Sequence, residues 1–148
     1  MKRSLISGVV LIFFLSGCSY FQSQDERTAP ELASEGMDAY KKEKFKKSIE
    51  AFEKLKNWYP FSKFAILAEL KKADAHYQLK EYEEAIFAYE EFENLHPRNE
   101  AIPYVIYQIG RSYFDQIDTM DRDQETAKKA IETFVRLKKQ FPKDIQVA

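Results

Sequence analysis

Shifted by 37 residues, the chain falls into register with itself, and no other feature restricts its fold as much. Gly36, Ala73 and Gly110 align, as do Ala39, His76 and Tyr113, and Tyr40, Tyr77 and Phe114. Further on, Phe45 matches Tyr82, Ser48 matches Ala85, Ile49 matches Ile86, Phe52 matches Tyr89, Leu55 matches Phe92 and Pro60 matches Pro97. A third unit repeats the second half 45 residues later, at Ala130, Ile131, Phe134, Leu137 and Pro142. Eight extra residues therefore lie between Phe114 and Ala127.

Within each unit the small residue, the aromatic four positions on and the closing proline follow helical spacing, so each unit reads as two antiparallel amphipathic helices. In the second unit the spacing predicts helices over about Phe64–Leu79 and Tyr82–Leu95. Ala, Glu, Lys and Leu dominate both, which suits helix. The small residues Gly36, Ala73 and Gly110 on the first helix, and Ser48, Ala85 and Ala130 on the second, let the paired helices approach closely while aromatics fill the wedge between them. This pattern resembles the tetratricopeptide repeat, without its consensus tryptophan and with a longer turn between repeats. The fold class expected is an all-α solenoid of three tetratricopeptide-like helix pairs, at about 31–62, 63–99 and 100–142, with a fourth pair starting over 143–148. No polar capping helix follows the third pair. Either the chain is truncated at its C-terminus, which is the reading taken, or the face around Ile131, Phe134 and Leu137 meets a partner.

The N-terminus addresses the chain. Lys2 and Arg3 precede an uncharged apolar stretch, Leu5 to Leu15, of eleven residues. As helix it would span about 16 Å, short of the ~30 Å hydrocarbon core, so it reads as a secretion signal and not a membrane span. Leu15-Ser16-Gly17-Cys18 resembles the bacterial lipobox, which implies a signal peptide over 1–17, a diacylglyceryl group on the Cys18 sulfur, and usually an acylated amine. Cys18 is the single cysteine and has no partner for an intramolecular disulfide. Two or three acyl chains anchor a protein stably. Ser19 stands where an Asp argues for inner-membrane retention, so the outer membrane is expected, on its periplasmic face. Residues 18–30, polar and carrying "SQDERTAP", read as a lipidated flexible tether. From Cys18 on, 21 basic residues face 24 acidic ones, a net charge of −3, and no basic footprint for nucleic acid remains.

No catalytic or metal constellation can be written. Beyond the signal only Gly36 and Gly110 remain, which excludes a phosphate-cradling loop. His76 occupies an interior helix slot as a packed residue, and His96 a helix end where its charge suits the dipole. Neither has a second ligand four residues on. The acid-rich "DQIDTMDRDQ", Asp115–Gln124, outlines a calcium loop from Asp121, but Thr126 replaces its turn glycine and residues from Ala127 already match a helix. Asp121 with Gln124, or Asp123 with Thr126, is expected to cap that helix. Trp58 and Tyr59 read as inter-repeat packing, whereas Phe61, after Pro60, either folds back or meets a partner.

With "NWYPFS" at Asn57–Ser62, "YEEFENLHP" at Tyr89–Pro97, "YVIYQIGRSYF" at Tyr104–Phe114 and "DRDQETAKKAIETF" at Asp121–Phe134, the mature chain resembles the BamD family. Its members are lipoprotein components of the outer-membrane β-barrel assembly machinery, usually with five repeats where this chain holds three. The resemblance implies a non-catalytic scaffold with no cofactor beyond the lipid on Cys18. It also implies partners: a BamA-like subunit with POTRA domains and a barrel, other assembly lipoproteins, and unfolded outer-membrane protein precursors. Early repeats of the family engage precursors and later ones contact the BamA-like subunit. Repeat offset then puts Tyr40, Asp74, Tyr77, Tyr107 and Arg111 into a groove lined by the first helices, where the aromatics offer flat apolar area and Arg111 meets a terminal carboxylate. Packing between repeats is the other reading of Tyr40 and Tyr77. The competing function is another periplasmic repeat lipoprotein, a pilotin or cell-envelope adaptor.

Overall fold

A computed structural model of the chain describes residues 27–117 and 124–143. Six helices make up the regular structure of those residues: α1 (Ala29–Lys41), α2 (Phe45–Trp58), α3 (Ala65–Gln78), α4 (Tyr82–Leu95), α5 (Ile102–Gln116) and α6 (Gln124–Gln140). Each packs against its neighbours in sequence, and α1 also touches α3, so the stack is the all-α array of three helix pairs that the repeat implies. Cys18, the proposed caps Asp121 and Asp123, and most of the expected fourth pair lie outside the described residues.

Boundaries shift slightly from those expected. The first helix starts at Ala29, taking in two residues assigned to the tether. Pro30 fits there because a first-turn N–H has no intrahelical acceptor anyway. Thr28 donates its N–H and its hydroxyl to the Glu31 carboxylate, at 2.7 and 2.8 Å, fixing the helix start. Those two bonds hold the Glu31 carboxyl below its usual range. In the third pair α6 begins at Gln124, three residues before the repeat resumes at Ala127.

Both described hairpin turns share one device at the repeat spacing. Glu43 and Lys80 adopt left-handed backbone, with φ of 57° and 61°. Their N–H groups bond the Tyr40 and Tyr77 carbonyls at 2.9 Å. One residue on, the N–H groups of Lys44 and Glu81 reach back to Ala39 and His76 at 2.9 and 3.0 Å, closing the helix ends.

The core divides into two parts. Leu32, Ala33, Phe52, Leu55, Ala65 and Ala68 close one between α1, α2 and α3. The larger runs from α3 to α6 around Tyr89, Phe92, Val105, Ile106 and Ile109. The small residues act as expected. A Cβ at Gly36 would overlap the Phe52 ring, and one at Gly110 would stand 2.6 Å from the Phe134 ring. Opposite Gly36, the buried Ser48 hydroxyl donates to its carbonyl at 2.9 Å.

Phe134, Leu137 and Trp58 depart from their expected places, and His96 adds a link to the place expected of it. His96 caps α4, tilts against Phe92 at 4.9 Å, and meets Glu69 of α3 at 2.6 Å, so it links elements as well as facing a helix end. Phe134 and Leu137 turn inward, and the apolar residues exposed on α6 are Ile131 and Val135. Trp58 remains 43% exposed where packing was expected, while its neighbour Tyr59 does join the first core.

Candidate functional site: the face of the first helices

The first helices of the three pairs, α1, α3 and α5, are joined along one face by a continuous line of polar and aromatic contacts. Tyr40 of α1 packs edge-on against Phe45 at 5.3 Å, and the Lys71 ammonium of α3 lies 5.4 Å from its ring centre. Tyr77 repeats this packing one unit later, against Tyr82 at 5.8 Å. Each tyrosine therefore packs within its own hairpin and also reaches the next pair, the contacts expected of packing between repeats.

Asp74 is not a free groove residue. It is 2% exposed and occupies the centre of a closed network. One carboxylate oxygen accepts the Tyr89 and Tyr104 hydroxyls at 2.7 and 2.8 Å, and the other accepts Lys71 Nζ at 2.7 Å. Gln108 Nε2 donates to the same two hydroxyl oxygens at 3.3 and 3.2 Å. Repeat offset places Asp74 and Arg111 in the same slot, yet the slot differs in cover. Tyr89 of α4 and Tyr104 of α5 close over Asp74, whereas the Arg111 side chain stays 42% exposed.

Arg111 gathers the remaining candidates. Its guanidinium lies 5.1 Å from the Tyr77 ring centre and 5.9 Å from that of Tyr107, and 3.6 Å from the Asp115 carboxylate. The Tyr77 hydroxyl also donates to Asp115. Tyr107 in turn tilts against Phe134 of α6 at 6.0 Å. A cation held over two aromatic faces, with one carboxylate beside it and open space outside, can stack on a planar group and pair with a second anion. Tyr104, Lys71 and Asp115 belong to this face and were missed. Tyr104 had a signal, since it lies on the outward side of α5 one turn before Gln108, but the partner it reaches is thirty residues away.

Burial and the neighbouring carboxylates raise the hydroxyl pKa of these tyrosines. For Tyr89 and Tyr104 burial is the larger cause and Asp74 the next, and for Tyr77 burial is followed by the bond to Asp115. A folded pKa above the unfolded value of about 10 means that these groups stabilise the fold fully below that pH, and that this contribution is lost as pH rises beyond it. The helical circular dichroism signal should hold from neutrality to about pH 10 and then fall. Tyr89 alone should contribute a slope of about 1.4 kcal/mol per pH unit above that point. Tyrosinate absorbance that develops fully while helicity persists would show that the network does not depend on the neutral hydroxyls.

Among the described residues no group of three or more His, Cys, Asp or Glu is placed to hold a metal ion, and no helix is long and apolar enough to cross a membrane.

A scan against family models matches residues 25–144 to the family described as YfiO, outer membrane lipoprotein. The chain belongs to this family. Its relatives include the outer membrane protein assembly factor BamD of Rickettsia prowazekii (strain Madrid E), 31% identical over 93% of this chain and 56% of the relative. The BamD proteins of Vibrio cholerae serotype O1 and Caulobacter vibrioides are 28% and 25% identical, over 96% and 93% of this chain but 64% and 47% of their own lengths. The chain thus spans about half to two thirds of the length of these relatives of the YfiO family. The matched segment takes in all six helices, and with them the whole face from Tyr40 to Asp115.

Proposed function

We propose that this chain is the precursor-receiving part of a lipid-anchored, non-catalytic scaffold for outer-membrane β-barrel assembly, held at the periplasmic face of the outer membrane through Cys18. Family membership and the relatives' name, assembly factor, support the role. The observation that carries the receiving step is Arg111, half-exposed over Tyr77 and Tyr107 with Asp115 beside it. An extended precursor segment ending in an aromatic residue offers the two groups this cluster takes, a ring to stack and a terminal carboxylate to pair. Lys71 near Tyr40 extends the same chemistry toward α1. The partners proposed are a BamA-like subunit with POTRA domains and other assembly lipoproteins. Recovery of a POTRA-bearing barrel in a mild-detergent pull-down supports this assignment over a pilotin or envelope adaptor.

Arg111→Ala should weaken binding of a barrel-precursor C-terminal peptide roughly tenfold, the loss of one charge-assisted, partly solvated contact. Its melting curve should stay near that of the parent, because the Arg111–Asp115 pair is a solvent-facing i,i+4 bridge. Equal peptide affinity in fluorescence anisotropy would remove the cluster from the site. For the anchor, Cys18→Ala should leave the protein unprocessed or soluble. Continued fractionation of that variant with the outer membrane would overturn the lipidated reading.

A further inference from the structure

The loop between α2 and α3 carries an apolar side chain that nothing in the fold covers. Phe61 is 101% exposed, the highest value among the described large apolar residues, and Trp58 close to it is 43% exposed. The loop is not a loose excursion. Ser62 N–H bonds the Tyr59 carbonyl at 2.9 Å, closing a turn with Pro60 and Phe61 at its centre. Ala65 N–H then bonds the Ser62 carbonyl at 2.9 Å, and the Ser62 hydroxyl accepts Phe64 N–H at 3.2 Å. Phe61 is therefore held outward by a hydrogen-bonded turn, at the cost of leaving a large ring in water.

Where the loop points follows from one further bond. The Tyr59 hydroxyl donates to the Arg27 carbonyl at 2.9 Å, which ties the loop to the place where the N-terminal segment enters the domain. Nine residue steps separate Arg27 from Cys18. Whatever path they take, they reach at most on the order of 30 Å. A lipid on Cys18 thus keeps this loop close to the bilayer surface. The flanking charges suit that surface: Lys54 Nζ lies 5.8 Å from the Trp58 ring centre, and Lys63 follows Phe61 and lies 5.1 Å from the Phe64 ring centre. Tryptophan and phenylalanine with adjacent lysines can bury their rings at the acyl boundary while the ammonium groups stay among phosphates. Other exposed apolar side chains, such as Phe87 on α4, Phe114 on α5 and Ile131 and Val135 on α6, have no such bond to the N-terminal segment among the described residues.

We propose that the α2–α3 loop is a second membrane contact, in which Trp58 and Phe61 enter the headgroup region of the phospholipid leaflet that holds the Cys18 acyl chains. The proposal rests on the lipid-anchored reading above. Two attachment points fix the tilt of the helix stack, which a single one leaves free.

Trp58 is the single tryptophan of the chain, so its fluorescence reports on this loop alone. The chain from Cys18 onward is coupled through that thiol to a maleimide-headgroup phospholipid in phosphatidylethanolamine–phosphatidylglycerol vesicles, which supplies an anchor whether or not cells acylate the residue. Trp58 emission should move to shorter wavelength, brominated acyl chains should quench it, and accessibility to a water-soluble quencher should fall roughly twofold. Phe61→Ser should reverse most of these changes, whereas Ile131→Ser should leave them in place. Identical emission and quenching for tethered and free protein would overturn the loop's role without touching the Cys18 reading, which the fractionation of Cys18→Ala tests separately. A shift that instead grows with protein concentration in the absence of vesicles would assign the loop to a second copy of the chain, and would also overturn the proposal.

Discussion

Asp74→Leu is expected to lower the unfolding free energy by on the order of 3 kcal/mol, because it removes the single acceptor that two tyrosine hydroxyls share inside the fold. Lys71 is partly exposed and can turn toward solvent, so the stranded group is chiefly the Tyr89 hydroxyl, whose residue is fully buried. A loss of this size corresponds to a fall of roughly 10 °C in melting temperature for a domain of this length. Asp74→Asn keeps an oxygen for both hydroxyls and gives up only the charge assistance, at a cost of about 1 kcal/mol. Adding Tyr89→Phe to Asp74→Leu should restore part of the loss, since the hydroxyl then left without Asp74 is that of Tyr104, which is 42% exposed and can turn to water. Urea melts of the four proteins decide it: Asp74→Leu as stable as the parent would mean that the network is incidental.

Gly36→Leu comes next in expected effect. Glycine inside a helix costs about 1 kcal/mol relative to alanine, and its place in α1 is explained by the Phe52 ring lying where a Cβ would be. Phe52 is 1% exposed and enclosed by Leu32, Leu55 and their neighbours, so the ring has nowhere to move. Overpacking here should cost about 3 kcal/mol for leucine. Alanine should cost less, the strain being offset by better helix propensity. Gly110→Ala should be milder than Gly36→Ala, because Phe134 is only partly buried and its ring can give. Thermal melts that rank Gly110→Ala as the more damaging of the two would contradict this account of the contacts.

Helix order, helix ends and the packing of small residue against aromatic were legible because they are periodic. A shift of 37 carried Tyr40 onto Tyr77, and both indeed pack on the aromatic five residues later. The same offset failed for Asp74 and Arg111. A repeat records which way a residue points on its own helix, but what closes over it belongs to other helices, and Tyr89 and Tyr104 cover only the first of the two. It failed again at Phe114, the third member of the Tyr40 series, which is 61% exposed. Ala127 stands in its unit where Phe45 and Tyr82 stand in the others, so the edge-on partner is missing. Single residues such as Lys71 and Asp115, drawn into the site by a neighbour on another helix, leave no periodic trace at all.

The division of the core bears on how the chain carries load. Its two apolar parcels meet through α3, which supplies Ala65 and Ala68 to one and Ala73 to the other. A pull entering at residue 27, the side from which an anchored tether would tug, loads the smaller parcel first. That parcel can shear open while the Asp74 hydroxyl cluster stays locked against α4 and α5. The helix pair nearest residue 27 would then act as a compliant spring, while the Arg111 cluster between α3 and α5 keeps its shape.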